Sequence, residues 1–313
     1  MMMASWSLIV PVIGLRGIKV DADNPLQFSD GVLIRPLPDW IVQQKNDIFD
    51  LGFIDYDHLK NATKAFIINY ETKNEQDNAE RLVFLAQIAL WLAKPGWFKS
   101  YLYIHDKGAG NDLTRGVIEK WRGSINKRRP VLFSEPDESI KSCCSYIQDD
   151  IKLAQKLHDR LNQHYKPECR GTIIWNVIYL LIHSLVDDFG PSRFLLLWCI
   201  MEALFGPQNA QEITYRISNR CAFFLSEDKD QCKKTFDMVK NRYSWRSKVI
   251  HGYHVNKITE DESIKTIVDV QNLLREALVK ILLDEQLINI FNSNKHRDEY
   301  LDDLIINATW RNS

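Results

Sequence analysis

From Glu138 to Leu282 apolar residues recur at three- and four-residue spacings with almost no strand-like alternation. A chain patterned this way must bury helix against helix, so the second half is expected to be an all-α bundle. Its centre is legible in Leu195-Leu-Leu-Trp-Cys-Ile-Met201, which is apolar on every side and fits a helix surrounded by others. Cys199, inside that run, is expected in the core. The periodicity predicts helices over Glu138–Tyr165, Cys169–Asp187, Ser192–Phe205, Glu212–Leu225 and Lys229–Ile250. A last long helix opens on a capping box, Thr259-x-x-Glu262, and carries Ile264, Ile267, Val268, Leu274, Leu278, Ile281 and Leu282 at helical spacing. Short connections, two of them Gly-Pro, imply antiparallel neighbours.

The opening of the chain reads differently. Ser7–Leu15, Ile18–Asp21, Gly31–Leu37, Lys64–Glu71 and Trp97–His105 are short β-branched or alternating runs, so strands are expected there. Asn78–Lys94 has helical spacing and is stopped by Pro95-Gly96. Gly123 to Asp137 then mixes Gly, Pro and Ser with the triplet Lys127-Arg128-Arg129, the composition of an interdomain linker. The expected organisation is an α+β domain over 1–125, a linker over 126–137, an all-α bundle over 138–291 and a partly helical tail over 292–313.

A net charge of −1 leaves no overall field for a polyanion, so any nucleic-acid surface must be local. The six cysteines form no C-x-x-C pair and no Cys/His zinc spacing, so neither metal nor cofactor is expected. The N-terminus lacks a basic region before its apolar run, and no apolar stretch reaches the roughly 20 residues of a membrane span. A cytoplasmic protein without a membrane partner is the expectation. Asp149-Asp150 and Asp302-Asp303 read as solvated faces.

One segment gathers chemistry. Lys240 to Lys257 holds Lys240, Arg242, Arg246, Lys248, His251 and His254, with Tyr243, Trp245 and Tyr253 among them and no acid. Cations supply phosphate affinity and aromatic rings stack on unpaired bases, so RNA is the expected partner. Within it, Arg246-Ser-Lys-Val-Ile-His251 sets a fixed cation beside a group that moves protons near neutral pH. At about 100° per residue, positions five apart on a regular helix point about 140° away from each other. Gly252 is the natural residue to end the helix, which would let His251 leave the cylinder. Alternatively, the partner of each group comes from a second subunit. Glu202 is a lone acid in an apolar helix and needs a counter-ion, which Arg216, Arg220 or Arg246 could supply.

The run Arg246-Ser-Lys-Val-Ile-His-Gly252, late in a helical domain, resembles the signature of HEPN-domain proteins, in particular the Apea-like group. Leu195 to Phe205 and Ile213 to Ala222 resemble that group's preceding helices. The resemblance covers roughly residues 140–290, so it makes the C-terminal domain a HEPN-like bundle. It implies a homodimer through that bundle with two Arg/His motifs in one cleft. It also implies a metal-independent endoribonuclease: Arg246 would hold the scissile phosphate and His251 would transfer protons as the ribose 2′-OH attacks. Ser247 stands where the family often has Asn, Asp or His. Tyr253 completes Arg-x-x-x-x-His-x-Tyr, and in similar toxin pairs a partner nucleotidyltransferase modifies that tyrosine. The expected role is therefore a toxin or antiviral defence effector with an antitoxin or regulatory partner, the N-terminal domain sensing or restraining. Arg246 and His251 are the expected catalytic pair, supported by Ser247, Glu202 and Tyr253. Lys240, Arg242, Lys248 and His254 would bind RNA. The alternative is a non-catalytic helical module that binds RNA or protein.

Overall fold

The computed structural model describes residues 6–39, 41, 59–94, 98–107, 125–132, 145–186, 190–208, 212–250 and 260–308. A small antiparallel sheet near the N-terminus is followed by mostly helices, and the chain divides into two compact units, Met1–Asn162 and Gln163–Ser313.

In the first unit β1 (Trp6–Val12), β2 (Leu26–Gln27), β3 (Leu33–Pro36), β4 (Lys64–Tyr70), β5 (Lys99–Lys107) and β6 (Ile125–Leu132) form one sheet in the order β2-β3-β4-β1-β5-β6. Strand β1 pairs with β4 along its whole length but with β5 only from Trp6 to Ile9. Pro11 therefore lies beyond the last β5 partner, on the stretch of β1 that pairs with β4 alone. Both faces of the sheet are covered. Ile9, Ala65, Leu102 and Ile104 pack with Leu37, Ile41, Leu59 and Ala62 on one side. The alternate residues Leu8, Val10, Phe66 and Ile68 are buried as well. Helix α1 (Lys73–Ala93) rests on β1 and β4. It begins five residues before its apolar periodicity because the Glu75 carboxylate accepts from the backbone N–H of Glu71 at 2.7 Å and of Thr72 at 3.4 Å. Thr72-x-x-Glu75 is a readable start signal that periodicity alone passes over. Buried His105 ties helix to sheet, with Nδ1 2.9 Å from the Tyr70 hydroxyl and Nε2 3.5 Å from Glu80.

Three expectations change here. Ile18–Asp21 forms no strand. The stretch expected as a linker is partly strand β6, at the edge of the sheet. Its register against β5 shifts between Ser100 and Leu102, which takes up Arg128 to Pro130 as a bulge. An edge strand tolerates proline and cations because one side carries no ladder, so linker-like composition and strand coexist. The first bundle helix is shorter and belongs elsewhere. Helix α2 (Gln148–His164) starts after Ser145 and Tyr146, which run beside Arg16, and it groups with the first unit rather than the bundle. The division thus falls after Asn162, not at 126–137. Gly17 permits that approach: it has φ +80°, and a Cβ there would lie 2.3 Å from the Tyr146 carbonyl oxygen. Side chains fasten α2, with Gln155 donating to the Gln27 carbonyl at 2.6 Å and Asn162 donating to Asp30. His158 is wholly buried between Ser29 and the Leu82 carbonyl, at 2.7 and 3.1 Å.

The second unit contains α3 (Ile173–Val186), α4 (Gly190–Phe205), α5 (Ile213–Leu225), α6 (Lys229–Ile250), α7 (Glu260–Leu282), α8 (Glu285–Phe291) and α9 (Asn294–Ile306). Helix α4 is central and touches α3, α5, α6 and α7. Its inner face is Phe194, Leu197, Trp198, Ile200, Met201, Leu204 and Phe205, but Cys199 is exposed rather than core. The expected tail is a structural part, since α9 packs on α5 and buries Arg297 and Leu301. Arg297 donates to the carbonyls of Ala203 at 2.5 Å and Gly206 at 3.1 Å, closing the C-terminal end of α4. Fully buried Arg220 reaches Asp298 at 2.9 Å and Asp302 at 2.8 Å, and Arg216 reaches Asp302 at 3.4 Å. Asp302 is therefore an ion-pair partner, not a solvated face, and Asp150 likewise pairs with Lys94 at 3.1 Å. Gly206 is required where the chain leaves α4, because a Cβ would stand 2.4 Å from the Glu202 carbonyl oxygen. No described helix is long and apolar enough to cross a membrane.

Two outcomes follow from these buried groups. Burial pushes the His158 imidazole below its ordinary value of 6.5, outweighing the Leu82 hydrogen bond. As pH falls through about 6.5 the unfolded chain takes up this proton before the folded one, so stability should decline below that pH. Urea melts from pH 7.5 to 5 should show the decline, and His158→Gln should flatten it. Arg220→Met should destabilise by about 3 kcal/mol, because it removes the buried guanidinium shared by Asp298 and Asp302 and leaves them only the longer contacts with Arg297 at 3.3 Å and Arg216 at 3.4 Å. Chemical denaturation measures this, and a loss under about 1 kcal/mol would refute it.

Candidate functional site

Helix α6 carries the arginine of the motif in its last turns, and α4 meets it with matching spacing. Trp198 and Glu202 are four apart on α4, Tyr243 and Arg246 three apart on α6, so each pair shares one helix face. The Arg246 guanidinium lies against the Glu202 carboxylate with Nε 2.8 Å from Oε1 and Nη2 3.2 Å from Oε2. This is the two-pronged geometry that fixes a guanidinium in a plane. The Tyr243 hydroxyl donates to Glu202 Oε1 at 3.3 Å, and its ring lies under the guanidinium at 5.4 Å. Tyr243 in turn meets buried Trp198 edge to face, with centroids 5.0 Å apart. The guanidinium is thus held by charge on one side and a ring on another, while its side chain remains 26% exposed.

Of the three counter-ions open to Glu202 from the sequence, Arg246 is the one in place. Arg216 and Arg220 are taken by α9. Arg242, expected to bind RNA, pairs instead with Asp269 of α7 at 2.6 Å and is only 20% exposed. A sequence window over α6 cannot see an acid supplied by another helix. Lys240 and Lys248 are exposed and lie 5.8 and 5.5 Å over Phe236 and Trp245. Ser247 is exposed beside Arg246. His251, Tyr253, His254 and the cap residue Thr259 lie outside the described residues. Tyr243 was legible only as one aromatic of a cluster. Its task, and that of Trp198, follow from the facing of α4 and α6.

Electrostatics limit the chemistry. Burial, with the Glu202 charge adding, raises the Tyr243 hydroxyl above its ordinary value, so it donates and does not ionise near neutrality. Although Cys199 lies on the open face of α4, partial desolvation by its neighbours and then the Glu202 charge raise its thiol, against the pull of Arg246. It stays protonated and is a poor nucleophile. Arg246 keeps its Nη1 hydrogens uncommitted among the described residues, which leaves donors to meet one oxyanion. Among the described residues, no three His, Cys, Asp or Glu side chains converge as a metal site would require. Comparison with family models, curated proteins and solved structures returned no match to this chain.

The pair itself can be weighed. In a double-mutant cycle of Glu202→Gln and Arg246→Gln, urea melts should give a coupling of about 1 kcal/mol, the upper range for a partly exposed pair. Additive losses would mean that the contact does nothing for folding.

Proposed function

We propose that the chain is a HEPN-type endoribonuclease acting through Arg246 and His251. The observation that carries this reading is the fixed Arg246 guanidinium near the end of α6, with a side chain partly open to solvent. Glu202 and Tyr243 act as positioning residues, holding the plane of the guanidinium so that its outer donors present to a phosphate. His251 follows five residues on and supplies proton transfer. The 2′-oxygen forms a bond to phosphorus and the bond to the 5′-oxygen breaks. One proton leaves the 2′-hydroxyl and one arrives on the departing oxygen. Two motifs facing each other in a dimer would provide one imidazole for each task, and that geometry also answers the divergence of positions five apart on one helix. A 2′,3′-cyclic phosphate and a 5′-hydroxyl result. The biological setting that fits is a toxin or antiviral effector, restrained by a partner or by its own N-terminal unit.

A second reading has its own support. Arg246 and Arg242 are both already neutralised by acids, which is what a helical binding module without chemistry would also carry. Cleavage assays separate the two. In EDTA, wild type should cut total RNA and leave cyclic phosphate ends. His251→Ala and Arg246→Ala, each folded by thermal melt, should cut at least about 100-fold more slowly. Cutting that persists in His251→Ala would remove the catalytic assignment. Binding without cutting in every protein would favour the module.

A further inference from the structure

Helix α3 carries a feature that the Arg246 site does not use. Trp175, Tyr179 and His183 recur every four residues on one face, and Tyr165 joins them from the segment before the helix. Ring centroids stand 5.3 Å apart from Tyr165 to Trp175, 5.3 Å to Tyr179 and 4.2 Å to His183. The first two steps are nearly parallel, with interplanar angles of 20° and 13°. Parallel rings in contact are about 3.5 Å thick, so centroids at that separation are offset by about 4 Å sideways. The rings therefore form a staircase in which each overlaps the next only in part, with Trp175 half-buried between Tyr165 and Tyr179. Tyr179 is 41% exposed, and His183 is exposed too. The Arg170 guanidinium sits 5.5 Å over the Trp175 ring. Helix α3 itself contains no acidic residue.

We infer that this staircase binds single-stranded RNA, its bases stacking on Trp175 and Tyr179 while Arg170 meets the backbone. Three observations favour that occupant. Aromatic faces take any base, whatever the sequence. The exposed cation at Arg170 complements a phosphate, whereas an apolar partner helix gains nothing from it. The spacing also selects an unpaired strand. The Trp175 and Tyr179 rings stand 5.3 Å apart, against about 3.4 Å per nucleotide in a stacked strand. A strand laid along the face must be unstacked, which a duplex cannot supply. The choice of RNA over DNA rests on the proposed function, and the staircase would hold substrate for that site.

The test separates the two ideas by using a strand that cannot be cleaved. A labelled single-stranded 2′-O-methyl uridine oligonucleotide lacks the attacking hydroxyl but keeps its bases, and binding is read by fluorescence anisotropy. Trp175→Leu and Tyr179→Leu keep apolar bulk without a ring, and each should raise Kd about tenfold. Trp175→Phe and Tyr179→Phe should bind within about twofold of wild type, since a ring remains. Arg170→Gln should lower the salt slope by about 0.7, one phosphate contact on a single strand. The inference is overturned if the leucine variants bind as wild type does, or if wild type fails to bind. It is equally overturned if the leucine variants dissociate a dimer while RNA affinity is unchanged, since the face would then belong to a protein contact. Exposed Tyr179 tolerates both replacements, so a poorly folded Trp175 variant leaves the decision intact. If ordinary RNA is cut in a His251-dependent way while these variants bind normally, the staircase falls and the nuclease stands. The reverse pattern keeps the staircase and removes the nuclease.

Discussion

The bundle hangs on how the C-terminal end of α4 is satisfied. A helix ends with carbonyls that lack intrahelical donors, and inside a protein no bulk water replaces them. Here two guanidiniums answer that need. Arg297 takes the carbonyls of Ala203 and Gly206, and Arg220 comes within 3.5 Å of that of Phe205. Cations also suit the negative end of the helix. Asp298 and Asp302 balance them, and because these lie on α9 while Arg216 and Arg220 lie on α5, one register of α9 satisfies all the charges together. Helix α4 then holds Trp198 and Glu202 where α6 needs them. The position of Arg246 thus depends, through the last turn of α4, on the charge cluster that closes that helix beside Glu202.

Much of this architecture is legible in the sequence because periodicity survives burial. The apolar stripes place α3 to α7 to within a few residues, and Lys229–Ile250 coincides with its expectation. Misreadings arise where tertiary partners override local composition. A basic, proline-bearing stretch looks like a linker until β5 offers it a ladder. Cys199 looks like core because its neighbours are apolar, yet one face of α4 opens to solvent. The tail, expected only as partly helical, carries α9, whose Arg297, Asp298 and Asp302 tie it to the bundle.

The site was legible in part for the same reason. A lone acid in an apolar helix signals a counter-ion, and that argument narrows Glu202 to three arginines. Only the packing chooses among them, because α9 has already engaged Arg216 and Arg220. Counting cations along α6 overstates its free positive charge, since the Asp269 that neutralises Arg242 arrives from α7. The aromatic staircase is written openly as Trp175, Tyr179 and His183 at four-residue spacing. It escapes a reading that takes an apolar helix as core without asking which of its faces has a neighbour.

Strand β6 has a consequence for how this chain behaves outside its native state. It closes one side of the sheet with Lys127, Arg128, Arg129 and Pro130, residues that make a poor template for a further strand. Strand β5 behind it is the opposite: its Leu102, Tyr103 and Ile104 are buried and suited to pairing. A fragment trimmed where composition hints at a linker would therefore shed its guard and leave an adhesive border bare. Such a fragment would tend to self-associate through β5, and its insolubility could easily be mistaken for an inability to fold.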